Sequence, residues 1–155
     1  MAGTPALEAL EASGLDFRVV RTQPAGSAEE SAELQGIELA SLLRTIVVRR
    51  GDDDYVFVLV PGGRRLDWPK LRAHLGVKRL SLPDASEARE ATGYERGAIT
   101  PFGSREAWPV VADAAIGDLG RVAIGGGGHG VNLHVEATDL LRALDAAVAD
   151  VTAPA

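Results

Sequence analysis

Four consecutive glycines, a histidine and a fifth glycine interrupt an apolar run in RVAIGGGGHGVNLHV, Arg121 to Val135. Glycine loses more conformational entropy on ordering than any other residue, so five of them need a reason. Backbone without Cβ atoms lets N–H groups approach a ligand oxygen closely, where they can bind phosphate or stabilise an oxyanion. A turn or bulge between two strands would use the same residues. A dinucleotide fingerprint is excluded, because no helix opens directly after the tract. A second special loop reads GYERGAITPFG. Gly97 and Pro101 frame a G-x-x-x-P element through Ile99 and Thr100, and Phe102 and Gly103 follow. Tyr94, Ile99 and Phe102 are expected to pack inward, giving a rigid loop that can wall a pocket.

Other chemistries find little support. His129, inside the glycine tract, is a candidate hydrogen-bond donor or general base. His74 reads as a surface residue of a helix. His134 lies five positions from His129, so on a strand the two would point to opposite faces and share no metal. The chain has no cysteine, which removes thiolate sites, disulfides and a cysteine nucleophile together and fits a cytoplasmic setting. Ser81, Ser86 and Ser104 lack a nucleophile elbow. No metal and no cofactor is expected. An ester-cleaving activity would therefore rest on backbone donors and positioning.

The net charge is −6, which argues against a polyanionic partner until its distribution is read. Nine basic and four acidic residues lie between Arg44 and Arg79, so that stretch carries +5 and the remainder −11. A basic zone on an acidic body can steer a polyanion locally. The start, MAGTPALEALEASGLDF, has no basic segment followed by an apolar block, so no leader is expected. No apolar run approaches the length of a membrane span.

These residues must be positioned by local structure. The length of 155 residues predicts one domain over 1–155. Thr4 and Pro5 open a short helix that Gly14 stops. DFRVVRT alternates as a strand. SAEESAELQG is a helix capped by Ser27 or Ser31. RTIVVRR and YVFVLVPGG flank an acidic turn as a hairpin. Asp67 caps a helix ending at Gly76, and KRLSL is a short strand. Pro83 and Asp84 open a helix that Gly93 stops. WPVVAD, RVAIG and VNLHV are strands. EATDLLRALDAAV is expected to be the longest helix, VADVT to add a last strand, and the tail to fray. Strands outnumber helices without a regular βαβ series. The expected class is therefore mixed α/β, α+β-like: a curled mixed sheet or partial barrel flanked by short helices.

In this order and spacing, RTIVV, YVFVLVPGGRRLDWPKL, ATGYERGAITPFG, PVVAD and GGGGHGVNLHVEATDLLRAL resemble the YbaK-like aminoacyl-tRNA deacylases. That family includes the editing insertion of bacterial prolyl-tRNA synthetases. The resemblance covers about Leu34 to Val151. It implies hydrolysis of the ester between a wrong, small amino acid and the terminal adenosine of a tRNA, with tRNA-Pro as one carrier. The implied partner is the charged acceptor end of tRNA, with an aminoacyl-tRNA synthetase as a further candidate, and neither membrane nor DNA. It implies that the loop from Gly97 to Pro101, with Thr100, lies at the ester, that Ile99, Phe102 and Gly103 shape the pocket, and that Gly126, Gly127 and Gly128 close it beside His129. Where the family commonly has lysine before threonine, this chain has Arg44 before Thr45, which keeps the charge in a planar fork. Where some relatives carry aspartate after the glycine turn, it has Asn132. A second reading, a non-catalytic tRNA-end or nucleotide-binding module, draws on those two departures. A third, a hydrolase of small esters, would act without tRNA.

Overall fold

The side-chain alternation of one hairpin sets the layout. In the computed structural model, which describes residues 4–155, β2 (Leu43–Gly51) and β3 (Asp54–Pro61) pair antiparallel around a turn in which Asp53 takes φ 53°. Residues 1–3, which begin both the segment read for a leader and the 1–155 domain, lie outside the described residues. Seven consecutive positions of β3, Tyr55 to Pro61, are buried. Such a strand must be covered on both faces. On one face Leu43, Val47, Phe57 and Leu59 join Tyr94, Phe102, Ile124 and Leu133 in the larger core. On the other, Val48, Val56, Val58 and Val60 pack with Leu66, Leu71 and Val151. The period of two along a strand assigns each residue to its face.

Around this hairpin the strands form three sheets. β5 (Val110–Asp113) lies parallel to β3, and β8 (Ala147–Ala149) lies parallel to β5. β1 (Phe17–Arg21), β7 (Val131–Glu136) and β6 (Arg121–Gly125) form an antiparallel sheet in that spatial order. A bridge between Leu42 and Ala123 links it to the first. β4 (Arg64–Leu66) pairs with β9 (Thr152–Pro154). The helices are short: α1 (Pro5–Ser13), α2 (Ala28–Gln35), α3 (Trp68–Leu75), α4 (Ala85–Thr92) and α5 (Ala137–Ala143). Thr4, Ser27, Asp67 and Asp84 each accept a hydrogen bond from a first-turn amide of the helix they precede, which satisfies an otherwise orphaned donor. Among the described residues, no helix is long and apolar enough to cross a membrane.

Three expectations are corrected. The helix expected over EATDLLRALDAAV is not the longest: α5 has 7 residues and α1 has 9. Asp145 takes φ 49° and stops it, and the alanines that follow pair with β5 instead. Tertiary pairing outweighs the helix propensity of alanine there. KRLSL contributes only a bridge from Ser81 to Arg49 (2.8 and 3.1 Å); Pro83, two residues on, has no N–H with which to continue a ladder. The tail does not fray, because β9 pairs with β4 through residue 154.

Candidate functional site

The loop after α4 is folded around one tyrosine. Gly93 ends the helix at φ 84°. Tyr94 is then buried, and its hydroxyl donates to the Phe102 carbonyl at 2.6 Å. That bond ties the two ends of the G-x-x-x-P segment together. Burial pushes the Tyr94 phenol up to about 12, while a backbone hydrogen bond from Ala6 pulls the other way. The proton that makes the bond is therefore kept far above neutral pH. Within the loop, Ala98 N–H bonds the Glu95 carbonyl at 2.9 Å. Gly97 sits at φ 90°, exposed, in the left-handed region that favours glycine.

The glycine tract between β6 and β7 closes as a tight turn. Gly126 N–H bonds the Val131 carbonyl at 2.8 Å, and Val131 N–H bonds that of Gly128 at 3.1 Å. The start of α1 fastens this turn to the other loop. Thr4 Oγ1 donates to the Gly126 carbonyl at 2.5 Å and accepts from Leu7 N–H at 3.2 Å. A Cβ on Gly127 would lie 2.8 Å from the Tyr94 ring, and one on Gly103 would lie 2.4 Å from the Pro5 carbonyl carbon and oxygen. The bare backbone at Gly103, Gly126 and Gly127 thus receives atoms of this same chain. At Gly126 the neighbour is Val131.

The two loops meet. A Cβ on Gly97 would lie 3.4 Å from His129 Cε1 and 3.7 Å from Nδ1, and one on Gly125 would lie 3.5 Å from the Ile99 carbonyl oxygen. His129 is exposed, with Nε2 3.7 Å from Glu95 Oε2. Among the described residues, the main-chain N–H groups of Gly97, Ile99, Gly127 and Gly128 find no hydrogen-bond acceptor. Thr45 lies on the β2 face shared with Leu43 and Val47, the face that packs toward Phe102 and Ile124. The buried hydroxyls of Thr45 and Thr100 also have no partner among the described residues. Thr100 is fully buried, so its hydroxyl does not reach the exposed surface.

Arg44 and Asn132 are placed otherwise. Arg44 alternates to the opposite face of β2 from Thr45, and its exposed guanidinium donates to the Arg64 carbonyl at 3.3 Å. Among the described residues, no hydrogen bond or ion pair ties it to either loop. Asn132 donates its side-chain amide to the carbonyls of Val20 (3.2 Å) and Gly130 (3.5 Å). An aspartate could not donate to these carbonyls, so the asparagine fits its surroundings by holding β7 to β1 below the turn. No group of three or more His, Asp or Glu able to hold a metal occurs among the described residues.

Sequence reasoning missed Thr4 and Glu95 as members of this neighbourhood. No local signal links Thr4 to Gly126, which is 122 positions away. It also treated His134 only as a neighbour of His129. His134 is buried, with Nε2 2.9 Å from Gln35 Oε1, and the Gln35 amide nitrogen donates to Ser31 Oγ at 3.0 Å. Desolvation first, then Arg18 and Arg121, lower its pKa below the usual histidine value. The unfolded chain therefore takes up this proton before the native one. Stability from this group is full above about pH 6.5 and is lost as pH falls from there until the native histidine also protonates. Urea midpoints measured from pH 7.5 to 5 are expected to fall in the native protein and to fall less in His134→Gln.

Residues 22–143 match the model of the aminoacyl-tRNA editing domain. The Escherichia coli (strain K12) multifunctional Ser/Thr-tRNA deacylase ProXp-y is 28% identical over 137 residues, 86% of this chain and 82% of that protein. The proline–tRNA ligase of Thermosipho melanesiensis is 31% identical over 121 residues, 76% of this chain, but this chain spans only 21% of the ligase. The crystal structure of a candidate trans-editing enzyme for prolyl tRNA synthetase superposes with a TM-score of 0.88 at 28% identity, covering 96% of this chain and 95% of that one. α1, with the Thr4 cap, precedes the matched residues.

Proposed function

Because the chain belongs to the aminoacyl-tRNA editing domain family, we propose that it is a trans-acting aminoacyl-tRNA deacylase. It acts as a single editing domain on a tRNA whose 3′ end carries a wrong, small amino acid. Water attacks the ester carbonyl carbon, the bond to the ribose oxygen breaks, and the free amino acid and the tRNA hydroxyl are released. The bond is already activated, so the protein has to place the water and stabilise the oxyanion. One well-aimed donor is worth about 3 kcal/mol in hydrolases, and fixed orientation adds to it. Main-chain amides of the Gly97–Pro101 loop and of the Gly126–Gly128 turn supply those donors, with His129 beside Gly97 as the side chain nearest the reacting group. A synthetase is a candidate partner. The net charge of −6 favours contacts confined to the acceptor arm and a weak intrinsic affinity for the rest of the tRNA.

The observation that carries this reading is the meeting of two loops, Gly97 against His129, with four main-chain N–H groups lacking acceptors among the described residues. It is tested by incubating the pure protein with tRNA-Pro and other tRNAs mischarged with alanine, cysteine, serine or threonine. Faster loss of the acyl group from at least one of them is expected. Binding without release would leave the non-catalytic module standing, and release from free aminoacyl esters at the same rate would point to a small-ester hydrolase.

A further inference from the structure

Most of the basic residues between Arg49 and Arg79 have no role in the site above, yet they converge. A groove of about 670 Å³ at the tip of the β2–β3 hairpin is lined by Arg49, Arg50, Arg72, Lys78 and Arg79, with Asp52 as its one acidic wall residue. Its two sides are held rigidly. The Arg49–Ser81 bridge fixes the segment after α3 to the end of β2, and Arg72 stands in the last turn of α3. Arg49 is already paired with Asp52 (2.5 Å) and Glu87 (3.1 Å), and Arg50 with Asp54 (3.0 Å). Among the described residues no carboxylate lies within 4.0 Å of the Arg72, Lys78 or Arg79 charges. Three uncompensated cations thus gather in one concavity of a protein whose net charge is −6.

The groove is tied to the loops. Arg49 is four residues from Thr45 along β2, about 13 Å at strand rise. Glu87, which pairs Arg49, lies in α4, and Gly93 at the end of that helix opens the Gly97 loop, about 9 Å further on at helical rise. A chain whose 3′ end entered between the loops would lie within reach of these cations with its next few nucleotides.

We propose that this groove binds the phosphodiester backbone of the tRNA acceptor stem, through Arg72, Lys78 and Arg79, while the 3′ end occupies the loops. The proposal rests on the deacylase reading for its substrate but concerns a separate surface. Backbone contacts of this kind set register on a duplex without reading its sequence. They raise affinity and leave the chemical step alone.

The test is the triple variant Arg72→Ala, Lys78→Ala, Arg79→Ala in the full chain. With mischarged tRNA, KM is expected to rise at least tenfold at unchanged kcat. With an aminoacylated adenosine, which carries no phosphodiester for the groove to hold, neither constant should move. Affinity for an uncharged acceptor-stem hairpin should fall, and the slope of log K against log salt should shrink by about one for each phosphate no longer neutralised. That last measurement needs no catalysis, so it reads the groove even if the protein hydrolyses no ester. Lys78→Arg with Arg79→Lys should keep binding, which separates charge from packing. If the triple variant does not fold, Lys78→Glu and Arg79→Glu are measured singly. Hairpin affinity and salt slope equal to those of the native protein would overturn the proposal.

Discussion

Gly97→Val is expected to lower kcat/KM for deacylation at least 100-fold while the protein still folds. Gly97 sits at φ 90°, and its Cβ would meet the His129 ring at 3.4 Å. A valine in the left-handed region costs about 1–3 kcal/mol. Because the residue is exposed, the loop can relieve that strain by moving away from the turn, which separates it from His129. Displacement of about 1 Å at a reacting centre is enough for a loss on the order of 100-fold. Mischarged-tRNA turnover and a thermal melt, read together, check the result. Native turnover in this variant would remove the Gly97 loop from the pocket.

Gly103→Ala is expected to strike stability first. Its Cβ would fall 2.4 Å from the Pro5 carbonyl atoms and 2.7 Å from Ala6 N, at φ 67°. All of these are backbone atoms, so no side chain can rotate out of the way and α1 must shift as a unit. Overpacking plus backbone strain predicts a loss of about 3 kcal/mol, or about 6–12 °C in Tm for a chain of this size. Thr4→Ala provides the companion experiment. It removes a cap worth about 1 kcal/mol and the bond to the Gly126 carbonyl. Its melting temperature should fall less than that of Gly103→Ala, and kcat should fall more than KM rises, because the turn loses its anchor. A Thr4→Ala protein with native kcat would show that α1 supports the fold without positioning the turn.

Legibility in the sequence divides along the line between local and distant structure. The starts of α1, α3 and α4 were legible because a cap is a side chain bonding an amide three residues away, and that spacing is visible in Thr4, Asp67 and Asp84; for α2 the sequence left Ser27 and Ser31 open, and Ser27 takes the cap. β2 and β3 were legible because dense β-branched and aromatic runs flank an acidic turn. The two special loops were legible as a pair, since their order and spacing carry the likeness to the editing family that the match over residues 22–143 bears out. α5 was overestimated because helix propensity is local, whereas the pairing of Ala147–Ala149 with β5 depends on a strand more than thirty residues earlier.

By itself the sequence determined the mixed class, the family and the two loops, since each rests on residue types within a short span or on their order along the chain. Only the tertiary structure decided that the Arg44 guanidinium reaches the Arg64 carbonyl, that Asn132 uses its amide on Val20 and Gly130, and that the start of α1 locks Gly103 and Gly126 into one assembly. It also decided that scattered basic residues gather in one groove. The physical reason is range. Caps and alternation act over a few residues, while close packing and hydrogen bonds across 122 positions exist only once the chain has folded.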